Sequence, residues 1–196
     1  HPKEAEILFY ITNNISPVFI GSYILLQQLQ LKGMFGISIF ILYGPALILG
    51  MLLLHRKKEE NRQKKTASQS QITFKIIDAA IMNGFETITK LGGYILMFSI
   101  LTACVRHFWK SQSILSYVLF CLLEMTTGLH SLALSGLNPE IKYLCALVTV
   151  VLGGACITAQ TRSLVTEELS LLPYLASKLV NALIVILLFL FFTKII

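Results

Sequence analysis

The chain is short of charge, and of acid above all. Only 13% of its 196 residues are Asp, Glu, Lys or Arg, while 55% are hydrophobic and the mean hydropathy is +0.74. Soluble domains carry about 25% charged residues, so this balance excludes an ordinary soluble globule and indicates an integral membrane protein. The short signatures of common soluble enzymes are missing too. There is no HExxH, no phosphate-binding Gly-rich loop, no dinucleotide fingerprint, and no Ser or Cys nucleophile with a matched base. No enzyme is expected, and no cofactor. An intramembrane protease would have to rely on Glu124 or His130, and neither has the companion it needs. The four cysteines, Cys104, Cys121, Cys145 and Cys156, lack CxxC spacing and lie in apolar segments. Small buried hydrophobes are expected there rather than a disulfide or metal set. An initiator methionine and a leader pattern are also absent, so the chain reads as a piece of something longer.

What charge there is sits unevenly. The net charge is +6, and Arg56, Lys57, Lys58, Arg62, Lys64 and Lys65 crowd one stretch against only Glu59 and Glu60. Flanked by membrane segments, this run reads as a cytoplasmic loop under the positive-inside bias, and nucleic acid is not an expected partner. Residues 56–71 thus form a basic cytoplasmic linker, ending in a Ser/Gln-rich stretch.

Polar clusters interrupt segments of membrane-spanning length at three places. They are Asn13-Asn14-Ile15-Ser16-Pro17, Glu124-Met125-Thr126-Thr127-Gly128, and Gly153-Gly154 leading to Thr158 and Gln160. Each unpaired dipole in hydrocarbon costs several kcal/mol, of order 2–7 per group, so a chain that keeps three such breaks has a use for them. The common use is a solute site at unwound helices near the bilayer midplane.

Along the chain, a first apolar segment covers about Ile7 to Leu29, interrupted at Asn13, Asn14, Ser16 and Pro17. A polar turn follows, then a span from Met34 to His55 with Gly44-Pro45 as a kink. From Ile72, Phe74, Ile77, Ile81, Phe85 and Ile88 recur at spacings of three and four. This predicts an amphipathic helix, either in the cytoplasmic interface or packed on the protein's own face. Gly92-Gly93 opens a separate span from Leu91 to about Val105, closed by Arg106, His107, Trp109 and Lys110 as interface anchors. Residues 114–136 hold two apolar pieces, each about half of a full crossing, and fit either a re-entrant hairpin or a broken span. Asn138-Pro139-Glu140 reads as the cap and first turn of a helix that stops at Gly153-Gly154 and resumes toward Arg162. Pro173 starts a last helix, almost wholly apolar from Leu179 to Phe192 apart from Asn181.

The candidate solute-binding residues are Asn13, Asn14, Ser16, Glu124, Thr126, Thr127, His130, Thr158 and Gln160, with Pro17, Gly128, Gly153 and Gly154 as the helix breakers. Glu124 is the one acid expected at membrane depth, where an ionisable group faces a cavity or a partner, and His130 is its candidate partner. Threonine and asparagine side chains also serve as hydrogen-bonding glue between helices or bond back to their own helix. H+ or Na+ would suit as a coupling ion.

The three breaks, read with their flanks, resemble the sporulation integral membrane proteins of the YlbJ type, which carry the nucleoside-recognition "gate" domain. The likeness rests on Asn13 to Ile20, on Leu123-Glu124-Met125-Thr126-Thr127-Gly128-Leu129-His130-Ser131-Leu132, and on Leu152 to Gln160. It implies an all-α polytopic membrane protein with one complete gate-type repeat in residues 72–196. Residues 1–55 would then be the end of a first repeat plus one extra transmembrane helix. It further implies a missing N-terminal half as partner, a multi-pass setting in the bacterial cell or forespore membrane, and compatibility with a homo-oligomer. The implied function is to move a small polar or anionic metabolite, dipicolinate-like or nucleoside-like, across that membrane during spore formation. The alternative from another class is a non-transporting membrane scaffold or assembly protein.

Overall fold

The computed structural model describes residues 13–57, 73–109, 113–164 and 171–193, and all regular structure among them is helical. Most of the basic linker lies outside the described residues, as do Lys110 and the start of the first apolar segment. Among the described residues three helical stretches are long and apolar enough to cross a membrane: Phe74–Phe108, Pro139–Leu164 (interrupted at Gly153) and Leu171–Phe192. The chain is a helical membrane protein.

Helix α1 begins at Pro17–Phe19 and widens directly into a π-helical stretch, Ile20–Gln28. The Leu29 amide bonds to the Ile24 carbonyl five residues back, at 2.9 Å. Proline at the first helical position loses no hydrogen bond, because that amide would be unpaired anyway. The Ser16 hydroxyl accepts from the Phe19 amide at 3.1 Å and caps the helix. Pro17 therefore opens a helix here, where the sequence suggested an interruption within one. Helix α2, Phe35–Lys57, runs on through Pro45.

The largest departure from expectation is α3, Phe74–Phe108, one continuous helix of 35 residues. Gly92-Gly93 does not open a separate helix, and the span expected from Leu91 to about Val105 lies within this one helix, which is apolar enough to cross a membrane. Both glycines keep negative φ and nothing approaches their Cα positions, so the helix runs through them at about 1 kcal/mol each in propensity. At 1.5 Å per residue α3 is about 52 Å long, well beyond the ~30 Å of a hydrocarbon core. Residues 74–86 are exposed, so this stretch does not pack on the protein's own face. Only Thr102 is buried on this helix.

Helices α4, Ile114–Leu123, and α5, Met125–Ala133, fold back on one another about Glu124, whose φ of −142° and ψ of 117° are extended. Gly128 permits this closeness: a Cβ there would stand 2.4 Å from Cys121 Cα and N. Of the two readings of 114–136, the structure adopts the hairpin. Helix α6, Pro139–Leu152, starts as its sequence indicates, with Pro139 at the first position and Glu140 in the first turn, though the Asn138 side chain makes no capping bond. It ends at Gly153 in the left-handed region, and α7, Gly154–Leu164, follows at once. Helix α8, Leu171–Thr193, begins two residues before Pro173.

The core lies where α6 and α8 pack together, with α1, α2 and the hairpin against them. Ile20, Ile41, Leu129, Leu132, Leu147 and Val185 are each 2% exposed or less. Helix α7 packs instead on α3 and α4. That arrangement puts the Gly153-Gly154 break beside the hairpin.

Candidate functional site

The first four amides of a helix have no partner within it, and at the start of α5 Glu124 supplies one. Its carboxylate accepts from the Thr126 amide at 3.0 Å and the Thr127 amide at 2.7 Å. The Thr126 hydroxyl adds a third bond at 2.7 Å. Charge on the acceptor and the positive end of the helix dipole both strengthen this cap. Glu124 is 3% exposed, so the cap keeps a buried carboxylate satisfied. The Tyr23 hydroxyl donates to the Thr126 carbonyl at 3.2 Å and ties α1 to the hairpin tip. The Thr127 hydroxyl reaches Ser99 of α3 at 3.3 Å.

The third break meets the second at backbone level. Gly153 and Gly154 have φ of 73° and 75°, the left-handed region that favours glycine. A Cβ on Gly154 would stand 2.8 Å from the Leu122 carbonyl oxygen and 3.0 Å from that of Cys121. The start of α7, with its unpaired amides, therefore abuts the last carbonyls of α4, which have no partner in their own helix. Two interruptions far apart in sequence form one junction.

The remaining residues of the third cluster turn inward on their own helix. Thr158 bonds back to the Gly154 carbonyl at 2.8 Å, and the Gln160 amide reaches Cys156 Sγ at 3.2 Å. Both side chains are half-buried. His130 is not the partner of Glu124. It is exposed and its Nδ1 pairs with Gln28 Oε1 of α1 at 3.1 Å, because Glu124 faces the start of α5 while His130 sits nearer its end.

Asn13 and Asn14 belong to a second polar group, built on α7 and α8. Asn13 Nδ2 donates to Tyr174 Oη at 3.0 Å and Thr161 Oγ1 at 3.3 Å. Lys178 Nζ donates to the Asn13 carbonyl at 2.9 Å and to Asn14 Oδ1 at 3.2 Å, and lies 5.5 Å from the Tyr174 ring centre. The Tyr43 hydroxyl holds the Ile15 carbonyl. Thus the extended run before α1 is fastened to α2, α7 and α8. Lys178 is 5% exposed, Tyr174 1% and Asn181 7%. Lys178 escaped the sequence reading, as did Tyr174 and Thr161. The available signal was Tyr174, Lys178 and Asn181 at i, i+4 and i+7, a polar stripe on one face of an apolar helix.

Helix α7 joins the two groups, Gly154 at the junction and Thr161 in the lysine group, about 10 Å apart along its axis. A cleft of about 310 Å³ lies elsewhere, between α2, α6 and α8, against Ile37, Ile41, Tyr143 and Phe189. Its lining is mostly apolar, and it shares no residue with either polar group. No group of His, Cys, Asp and Glu among the described residues is suited to hold a metal ion. In comparisons with known proteins, no family model, no curated protein and no solved structure matches this chain.

Proposed function

We propose that the chain is part of a membrane transporter for a small polar or anionic solute. The observation that carries this reading is the junction of the two breaks: the Gly154 end of α7 set against the Cys121 and Leu122 carbonyls of α4. Helix ends that meet inside an apolar bundle place backbone donors and acceptors where a solute can compete for them. The resemblance of the three clusters to the YlbJ-type proteins supplies a setting in a bacterial membrane during spore formation. It also supplies a dipicolinate-like or nucleoside-like solute.

A scaffold or assembly role is favoured by a different observation. The Glu124 carboxylate, the Ser16 hydroxyl and the Thr158 hydroxyl all find partners inside their own helix or at its cap. Uptake into proteoliposomes separates the readings. A transporter gives saturable uptake of labelled dipicolinate or a nucleoside that Gly154→Ala abolishes while Gly93→Ala does not. A folded protein that takes up neither solute defeats the transporter reading and leaves the scaffold.

A further inference from the structure

We infer that Lys178 is the centre of a binding site for a small carboxylate anion, with Asn181 as its second contact. An ammonium group buried to this depth loses several kcal/mol of hydration unless an opposite charge or a full set of acceptors replaces the water. Lys178 has neither. Of its three N–H bonds, one goes to the Asn13 carbonyl and one to Asn14 Oδ1. The third has no acceptor among the described residues, and no carboxylate there pairs with it. Glu124, the other buried charge among the described residues, is engaged by Thr126 and Thr127 at the hairpin tip.

An independent observation lies one turn further along the same face of α8. Asn181 is 7% exposed, and its Oδ1 is buried without a hydrogen-bond partner among the described residues. A buried carboxamide atom left unpaired costs about 1–3 kcal/mol, so such an atom marks a vacancy in the bonding scheme. Carboxamide oxygen and nitrogen exchange places by a half-turn of χ2, which sets an N–H donor where Oδ1 now stands. Lys178 and Asn181 then offer two donors about one helical turn apart, suited to the two oxygens of a carboxylate. A spherical anion such as chloride meets only one of them well. The Tyr174 ring and the Asn13 and Asn14 acceptors hold the ammonium in place. Asn13 and Asn14 are themselves only half-buried, so the group lies close beneath the surface of the bundle.

The inference concerns binding and stands apart from transport. Its probe is sodium benzoate, titrated calorimetrically into the detergent-solubilised protein at fixed pH and ionic strength. Neutral benzamide and sodium chloride are titrated in parallel. The expected result is saturable heat with benzoate alone. Lys178→Met, which fills the same volume without charge, should weaken benzoate binding roughly tenfold or more. Asn181→Asp supplies an internal counter-ion one turn away and should likewise abolish it, in a protein that keeps both buried groups satisfied. Should Lys178→Met fail to fold, Asn181→Asp alone decides. No benzoate binding, equal binding of chloride or benzamide, or undiminished binding in Asn181→Asp overturns the proposal. Saturable uptake with no benzoate binding sinks this site and leaves the transporter reading intact. Benzoate binding without uptake does the reverse.

Discussion

Gly128→Ala tests the hairpin at the atom that makes it possible. The methyl group would stand 2.4 Å from the Cys121 backbone nitrogen and Cα and 2.7 Å from the Phe120 carbonyl carbon. All three are backbone atoms, so no side chain can rotate out of the way, and α4 and α5 must move apart. Overpacking of a tight core costs about 1–3 kcal/mol, and a clash with backbone belongs at the upper end of that range. Replacing glycine by alanine within a helix returns about 1 kcal/mol in propensity, which leaves a net loss of about 2 kcal/mol. At roughly 2–4 °C per kcal/mol for a domain of this size, the unfolding temperature falls by about 4–8 °C. Gly93→Ala is the matched control: it sits in a helix with open space around it and receives the same propensity gain without the clash. Cysteine labelling gives a local readout to set beside the melting curve. Cys121 is buried against the hairpin and Cys156 is buried in α7, whereas Cys104 is exposed. With maleimide and peptide mapping, Cys104 should react in every variant and Cys121 only in Gly128→Ala. A Gly128→Ala protein that melts with Gly93→Ala and keeps Cys121 shielded would refute the close approach of α4 and α5.

Substitutions at three further positions probe polar side chains one at a time. Glu124→Ala strips the acceptor from the Thr126 and Thr127 amides and should cost about 1–2 kcal/mol in thermal unfolding; Glu124→Gln keeps one oxygen and should cost less. If Glu124 is also the titrating group of a carrier, Glu124→Gln abolishes uptake or its pH dependence while inserting normally, and unchanged pH-dependent uptake counts against that role. Thr158→Val removes a hydroxyl bonded only to its own helix, so stability should stay within about 0.5 kcal/mol; a large drop in uptake without a stability change would show that the hydroxyl meets the solute. Ser38→Ala leaves the buried Tyr143 hydroxyl without its partner at 2.7 Å and should lower stability by about 1–3 kcal/mol, read by the same melting assay.

Two glycine pairs show where the sequence was legible and where it was not. Gly153-Gly154 and Gly92-Gly93 look alike in an apolar string, and both were expected to mark helix ends. One pair does, because its residues take φ of 73° and 75° against the end of α4. The other stays helical, because nothing approaches it and the flanking residues carry the helix through. The deciding quantity is the neighbouring backbone, which no local pattern contains. The start of α6 was readable for the opposite reason. Pro139 and Glu140 act within a single helical turn, whereas the Ser16 cap of α1 looked like part of an interruption. The hairpin fell between these cases, since two half-length apolar pieces fit a reversal or a crossing equally well until Gly128 is seen against Cys121.

Lys178 was missed on physical grounds that also make it informative. A lysine near the start of an apolar helix is ordinarily read as an anchor that stretches its ammonium toward water. Here it turns into the bundle and holds the Asn13 carbonyl, 165 residues away in sequence. The polar groups of the chain therefore fall into two kinds. Glu124, Ser16 and Thr158 are answered within their own helix or cap, and removing them disturbs one helix end. Asn13, Tyr174 and Lys178 are bonded across elements, so these bonds form when α7, α8 and the extended run before α1 are assembled. A ligand that binds the second kind also stabilises that assembly. Helix α7 carries Thr161 of this group and, two turns earlier, the Gly154 junction with α4.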